Sequence, residues 1–264
     1  MDNGVARLPI QRVTEEGKQD IDDMVIKELP LTIILNNQEL VTLLCSPVDL
    51  KYLAIGFLFS EGLIDGKDEI KKTIVDGQRG VVRVETEGDK ELAGELIFKR
   101  LITSGCGRGA SLYSAADAQA LAKVDSKGEI SALQVFDLVK EFQHSSQVYR
   151  ATGGVHSAAL CDTESILVFN EDIGRHNAID KIFGKCVLED IPTDGRIVVT
   201  SGRVSSEILL KVAKRNIPII ISVSAPTDVA VRLADNLGVT LVGFVRGKRM
   251  NIYAHNWRVR TDGK

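Results

Sequence analysis

The chain has 264 residues, enough for one large domain or two modest ones with a real core. It is 44% hydrophobic and 26% charged, an ordinary globular balance, and its net charge of −3 argues against the broad basic field of a nucleic-acid or acidic-membrane binder. No basic and apolar leader opens it, and its longest uncharged run, Asn216 to Thr227, is too short to span a bilayer.

Taken in order, residues 1–24 are polar and charged without sustained periodicity, and read as a loose or edge segment. Leu31–Leu35 and Glu39–Leu44 read as a hairpin turned by Asn36-Asn37. Asp49–Glu61 reads as a helix with Leu50, Leu53, Ala54, Phe57 and Leu58 on one face, stopped by Gly62. Gly80–Glu85 alternates as a strand. Residues 25–110 are therefore expected to form a small α+β domain. Two helical stretches follow, Leu112–Lys123 and Ser131–Gln143. From about Gly153 the pattern changes. Paired strands at Ser157–Cys161 and Ser165–Phe169 precede a helix over Gly174–Leu188. Strands at Arg196–Thr200, Ile217–Val223 and Val239–Val245 then alternate with helices at Ser206–Arg215 and Asp228–Asn236. Continuous apolar strands joined by helices predict a mostly parallel sheet covered on both faces, over a second domain at 111–264.

Cys106 stands in a glycine loop, Thr103-Ser-Gly-Cys-Gly-Arg-Gly-Ala110. Glycines leave a thiol open to a large reagent, and Arg108 favours its thiolate form, although a plain tight turn with an incidental cysteine fits the segment equally well. The other cysteines, Cys45, Cys161 and Cys186, are widely spaced. That pattern suggests neither a disulfide framework nor a C-x-x-C zinc site, and it suits a reducing cytoplasm. The same loop matches the G-x-G-x-x-A dinucleotide fingerprint, but the alanine-rich helix running into Asp125 leaves no room for the second strand that fingerprint needs.

Three later turns share one design: a strand end, a polar glycine- or proline-marked turn, then a helix start. They contain Gly174, Arg175 and His176; Ser201, Gly202 and Arg203; and Ser224 and Thr227. At the carboxyl edge of an open sheet, such turns favour anions and suit a phosphorylated, nucleotide-like ligand. Capping of helices by Asp172, Ser205 and Thr227 is the simpler use of each residue alone. Gly154 and His156 open the first strand of this half, His156 serving as acid or base, ligand donor or core histidine. His176, with Asp180 a turn on, does not assemble a metal site. Arg246, Gly247, Lys248 and Arg249 put three cations around one glycine, a phosphate site or a basic hairpin turn.

These segments, in this order, resemble the FdhD family: Ala151–Ala159, Asn170–Lys181, Thr200–Arg203, Ser224–Thr227, Phe244–Arg249, Asn251–Tyr253 and, earlier, Leu53–Gly62. The resemblance implies a formate dehydrogenase accessory sulfurtransferase. A cysteine desulfurase would hand sulfur to Cys106 as a persulfide, and the sulfur would pass to the molybdenum bis(molybdopterin guanine dinucleotide) cofactor of formate dehydrogenase. It also implies a small α+β domain followed by a cytidine-deaminase-like α/β domain, a homodimer, and cofactor contact at Phe244, Val245, Arg246, Gly247, Lys248 and Arg249. The sequence departs from the family where many members carry C-x-x-C, because Gly109 stands three residues after Cys106. Two other readings stay open. One is a non-catalytic cofactor chaperone. The other is a cysteine hydrolase pairing Cys106 with His156, which would need a base within hydrogen-bond reach of the sulfur.

Overall fold

The computed structural model describes residues 4–87 and 121–261, together with the backbone of a short strand pair, 101–102 with 110–111. The chain starts with a long hairpin, β1 (Val5–Thr14) and β2 (Gly17–Ile26). The segment expected to be loose or an edge is thus an ordered two-stranded ribbon. Its alternation is masked because Pro9 and exposed charges interrupt both faces of a ribbon that is mostly in solvent.

A four-stranded sheet follows, built from β3 (Leu29–Leu35), β4 (Gln38–Cys45), β5 (Ile70–Asp76) and β6 (Val81–Thr86) in the order β4-β3-β6-β5. Asn36 and Asn37 take positive φ in the β3–β4 turn, a conformation asparagine tolerates. Helix α1 (Leu50–Glu61) covers the inner face and ends at Gly62, whose φ of 77° lets its N–H turn back to the last carbonyls. The two-residue strands β7 (Leu101–Ile102) and β8 (Ala110–Ser111) pair with each other.

The second half builds a six-stranded sheet. Its members are β10 (His156–Cys161), β11 (Ile166–Asp172), β12 (Ile197–Thr200), β13 (Ile219–Ser222), β14 (Thr240–Arg246) and β15 (Arg249–Ala254), in the order β11-β10-β12-β13-β14-β15. The sheet is mixed. Only β12–β13 and β13–β14 pair in parallel, while the other three pairings are antiparallel. The expectation of a mostly parallel sheet fails in its pairings because β10 and β11 form a tight hairpin. β10 therefore runs against both its neighbours. The crossover from β11 to β12 steps over β10, so β11, β12, β13 and β14 still point one way.

The helices of this half are α2 (Ala132–Ser145), α3 (Gln147–Thr152), α4 (Arg175–Leu188), α5 (Ser206–Ala213) and α6 (Asp228–Leu237). Strand residues alternate between two cores. Val198, Ile220 and Leu241 join α1, α4, α5 and α6 in one, whereas Val199, Ile221 and Val242 pack under α2 with Val135, Leu138 and Phe142. A last short pair, β9 (Ile130–Ser131) with β16 (Val259–Arg260), brings the chain end beside the start of α2.

The two sheets share the first core, because α1 packs directly on α4. A Cβ on Gly56 would fall 1.7 Å from the carbonyl oxygen of Asp180, and one on Gly184 would fall 1.9 Å from that of Tyr52. Glycine is required on both sides of this crossing. Among the described residues, no helix is long and apolar enough to cross a membrane.

Candidate functional site at the carboxyl edge of the sheet

Register places the turns of interest side by side. Thr200 pairs with Ala158 and with Ser222, and His156 pairs with Asp172. The ends of β11, β12 and β13 and the start of β10 therefore meet along one edge. The loops there are stitched together by backbone bonds from Val204 N to Ala225 O (3.1 Å) and from Thr227 N to Val204 O (2.9 Å).

Ser201 is the local pin. Its N–H donates to Ser157 O at 3.0 Å, and its Oγ accepts from Ser157 N at 2.9 Å. His156 Nδ1 lies 3.3 Å from the same Oγ. Gly202 lies against Arg175 and His156, since a Cβ there would come 2.9 Å from Arg175 Cβ and 3.5 Å from His156 Nδ1. Four of the expected residues thus converge: His156, Arg175, Ser201 and Gly202. Burial holds the His156 imidazole below its usual pKa. The positive charge of Arg175 and the neighbouring His176 add to that effect, and Asp172 opposes it.

A cavity of about 550 Å³ opens here, walled by Phe142, Tyr149, Arg150, Val155, His156 and Ser201. Gly154 also borders it. Tyr149 and Arg150 escaped the sequence reading. They sit on the short helix α3, whose first amides, Val148 N and Tyr149 N, donate to the Glu171 carboxylate at 3.0 and 3.1 Å. The break at Ser145-Ser146 and the stop at Gly153-Gly154 were the only local signals of this wall.

The remaining expected residues divide. Gly174 precedes α4 and donates its N–H to Asp172 Oδ1 at 2.9 Å. His176 Nε2 approaches Glu207 Oε2 at 3.0 Å without hydrogen-bond geometry. Arg203 is exposed on the rim. Ser224 N donates to Ser222 Oγ at 2.9 Å. Thr227 caps α6 through a bond from Ala230 N, as Ser205 caps α5 through Ile208 N, so both hydroxyls act on their helices.

The basic segment forms the β14–β15 hairpin. Arg246, Gly247, Lys248 and Arg249 are exposed at its tip, where Gly247 takes a φ of 59°. Phe244 also has positive φ (52°), an unusual state for a bulky residue, and its N–H donates to Ser224 O. Val245 is fully buried in the second core, which leaves only its backbone to face a ligand. The neighbour of Ser224, Val223, lines the cavity, so the hairpin root and the cavity wall are continuous.

Cys106 and its loop, 103–109, lie outside the described residues, as does most of the expected helix Leu112–Lys123. The other three cysteines are described. Cys45, Cys161 and Cys186 are buried free thiols, and burial is the main cause that pushes each to a pKa of about 12.

Residues 26–260 match the FdhD/NarQ family. The chain belongs to that family. Proteins called sulfur carrier protein FdhD are similar to it over nearly their whole length. The one from Bacillus pumilus is 47% identical across 90% of both chains, and the one from Staphylococcus aureus strain Newman is 42% identical across 95% of both. The fold is similar to the crystal structure of a protein from Desulfotalea psychrophila described as a formate dehydrogenase accessory protein. There the TM-score is 0.82 at 28% identity, covering 97% of this chain and all of that one. Membership agrees with the resemblance carried by the motifs at 151–159, 170–181 and 200–203, which border the cavity or its rim.

Proposed function

We propose that this FdhD-family chain is a cytoplasmic sulfur carrier that takes persulfide sulfur on Cys106 from a cysteine desulfurase. It would pass that sulfur to the molybdenum bis(molybdopterin guanine dinucleotide) cofactor of a formate dehydrogenase. The observation that carries this reading is the state of the other thiols. A persulfide acceptor must reach a donor protein as a thiolate. Cys45, Cys161 and Cys186 are buried and held protonated near neutral pH, which leaves Cys106 to do it. One cysteine suffices chemically. The Cys106 thiolate attacks the outer sulfur of the donor persulfide, and a new S–S bond forms as the donor's breaks. The donor cysteine leaves as a thiolate, with no net electron transfer. Release of that sulfur as sulfide takes two electrons from a thiol reductant and returns Cys106 as a thiol.

The carboxyl edge suits the recipient's nucleotide end. Its cavity offers an aromatic wall, one arginine and the His156–Ser201 pair, and the neighbouring hairpin presents Arg246, Lys248 and Arg249 to phosphate. The cytidine-deaminase-like description of the six-stranded half belongs to the same proposal; the reversed β10 beside co-directional strands is compatible with it.

Incubation with a desulfurase and cysteine, followed by intact-mass measurement, should add one sulfur mass to the wild type and none to Cys106→Ser. An adduct that persists in Cys106→Ser would place the carrier elsewhere. If Cys106→Ser still matures formate dehydrogenase while Arg246→Ala/Arg249→Ala does not, the protein is a cofactor chaperone instead.

A further inference from the structure

A second cavity, of about 260 Å³, opens against β11, the edge strand of the six-stranded sheet. It borders three consecutive residues of that strand, Phe169, Asn170 and Glu171. Successive strand residues point to opposite faces, so one cavity meets all three only from the strand's edge. Ile26 at the base of β2, Val48 before α1, Val148 in α3 and Val155 beyond it supply an apolar wall. The volume is below the about 300–1,000 Å³ of drug-sized ligand sites, and suits about one residue.

The register decides which backbone groups face this edge. Ser157 turns both its N–H and its O towards Ser201, so Ala158 bonds to its neighbour on the other side, Asn170. Phe169 and Glu171 therefore direct their backbone groups outwards. Glu171 is closed: its N–H donates to Asn170 Oδ1 at 3.2 Å, and its O accepts from Lys181 Nζ at 3.2 Å. Phe169 is open, with no backbone partner on that side among the described residues.

Two side chains at the cavity are open as well. Asn170 exposes only 8% of its surface, and with Oδ1 occupied by Glu171 N its Nδ2 has no partner among the described residues. Asp49 precedes α1 with φ 56° and ψ 37°, a left-handed state instead of the extended one of a capping aspartate, and its carboxylate caps no amide. It is exposed and takes part in no ion pair among the described residues. Glu171 adds a second carboxylate, and no described lysine or arginine borders the cavity. Lys181 is committed to Asp172 at 2.7 Å. The cavity therefore carries a negative field.

We propose that this cavity captures the amino-terminal residue of a peptide, one with an apolar side chain. Its α-ammonium meets Asp49, its carbonyl accepts from Asn170 Nδ2, and the residues after it lie as an added strand against the open N–H and C=O of Phe169. Two carboxylates and one amide donor select a neutral carbonyl. A free amino acid would bring its own carboxylate against Asp49 and Glu171. The site is separate from the larger cavity, although Val155 borders both, and it does not depend on the sulfur-carrier reading.

The test is calorimetric titration of the full chain with Leu-Ala-Ala amide, its N-acetylated form and free leucine. The tripeptide amide should bind with a dissociation constant below about 1 mM, and the other two at least about tenfold more weakly. Asp49→Asn keeps a residue that tolerates the left-handed backbone. It should weaken the tripeptide amide about tenfold and leave the acetylated form unchanged. A second measurement needs no variant. In NMR spectra of the wild type, the Phe169 backbone amide and the Asn170 side-chain amide should shift as the tripeptide amide is added, while Ile221 in the second core should not. Absence of binding at about 1 mM overturns the inference. So does equal affinity for the acetylated form, leucine binding as tightly as the tripeptide amide, or shifts that spare Phe169 and Asn170.

Discussion

His156 shows how a side chain is tuned by its neighbours at this edge. Burial and the nearby Arg175 and His176 lower its pKa from 6.5, so the ring is neutral in the folded protein at pH 7. The unfolded chain binds a proton as pH falls through about 6.5, whereas the folded chain resists until its lower pKa is reached. Stability is therefore complete above pH 6.5 and declines below it. His156→Gln removes the titrating group, so its urea midpoint should fall less than that of the wild type between pH 6.5 and 5. Equal slopes would mean that the imidazole is not held neutral. Dependence on residues distant in sequence explains why this residue was ambiguous from sequence. His156 reads as a strand residue, and only the register with β12 brings Ser201 to its Nδ1.

At the scale of elements, the α1–α4 crossing is the most constrained contact. Gly56 and Gly184 let two helix backbones touch where any side chain would collide with carbonyl oxygens, which cannot move aside as a flexible side chain can. Gly56→Ala should cost about 3 kcal/mol or more, seen as a lower denaturation midpoint at an unchanged slope, while Gly66→Ala, with nothing within 4 Å, should cost under about 1 kcal/mol. Equal effects would show that the crossing has slack. Elements whose pattern is self-contained were legible from sequence: α1 with its apolar face and Gly62 stop, the apolar runs of β12, β13 and β14, and the Ser205 and Thr227 caps. Elements set by distant partners were not. β5 hides its alternation behind Lys71-Lys72, and α3 depends on a carboxylate at Glu171 that reaches it only through the fold. The cavity wall was missed for that reason, although the turns around it were found. The direction of β10 was lost because apolar content reports burial and not strand polarity.

At the scale of the whole molecule, one buried ion pair ties the N-terminal sheet to the functional edge. Lys181 Nζ and Asp172 Oδ2 are 2.7 Å apart, and both side chains are fully buried. Asp172 also accepts from Ser46 N and Oγ, just past β4, and from Gly174 N and Asn177 Nδ2 at the start of α4. Asn177 donates in turn to Leu44 O, and Lys181 to Ser46 Oγ. The end of β4 and the lip that carries Arg175 are thus held by the same carboxylate. Removing one partner leaves a charge in a dry site, a far larger loss than the pair's net worth. Lys181→Met should cost about 3–5 kcal/mol. Asp172→Asn/Lys181→Met should cost less than the sum of the single changes by about 1 kcal/mol or more, because the two residues act as a unit. Hydrogen exchange separates this from a local defect. If the pair couples the two sheets, Lys181→Met should speed exchange at Leu31 and Ile33 in β3 as well as at Ile220 in β13, by similar factors, since all three lie in one shared core. Faster exchange in β3 alone would mean that the four-stranded sheet opens without the rest, and that the site's lip does not depend on it.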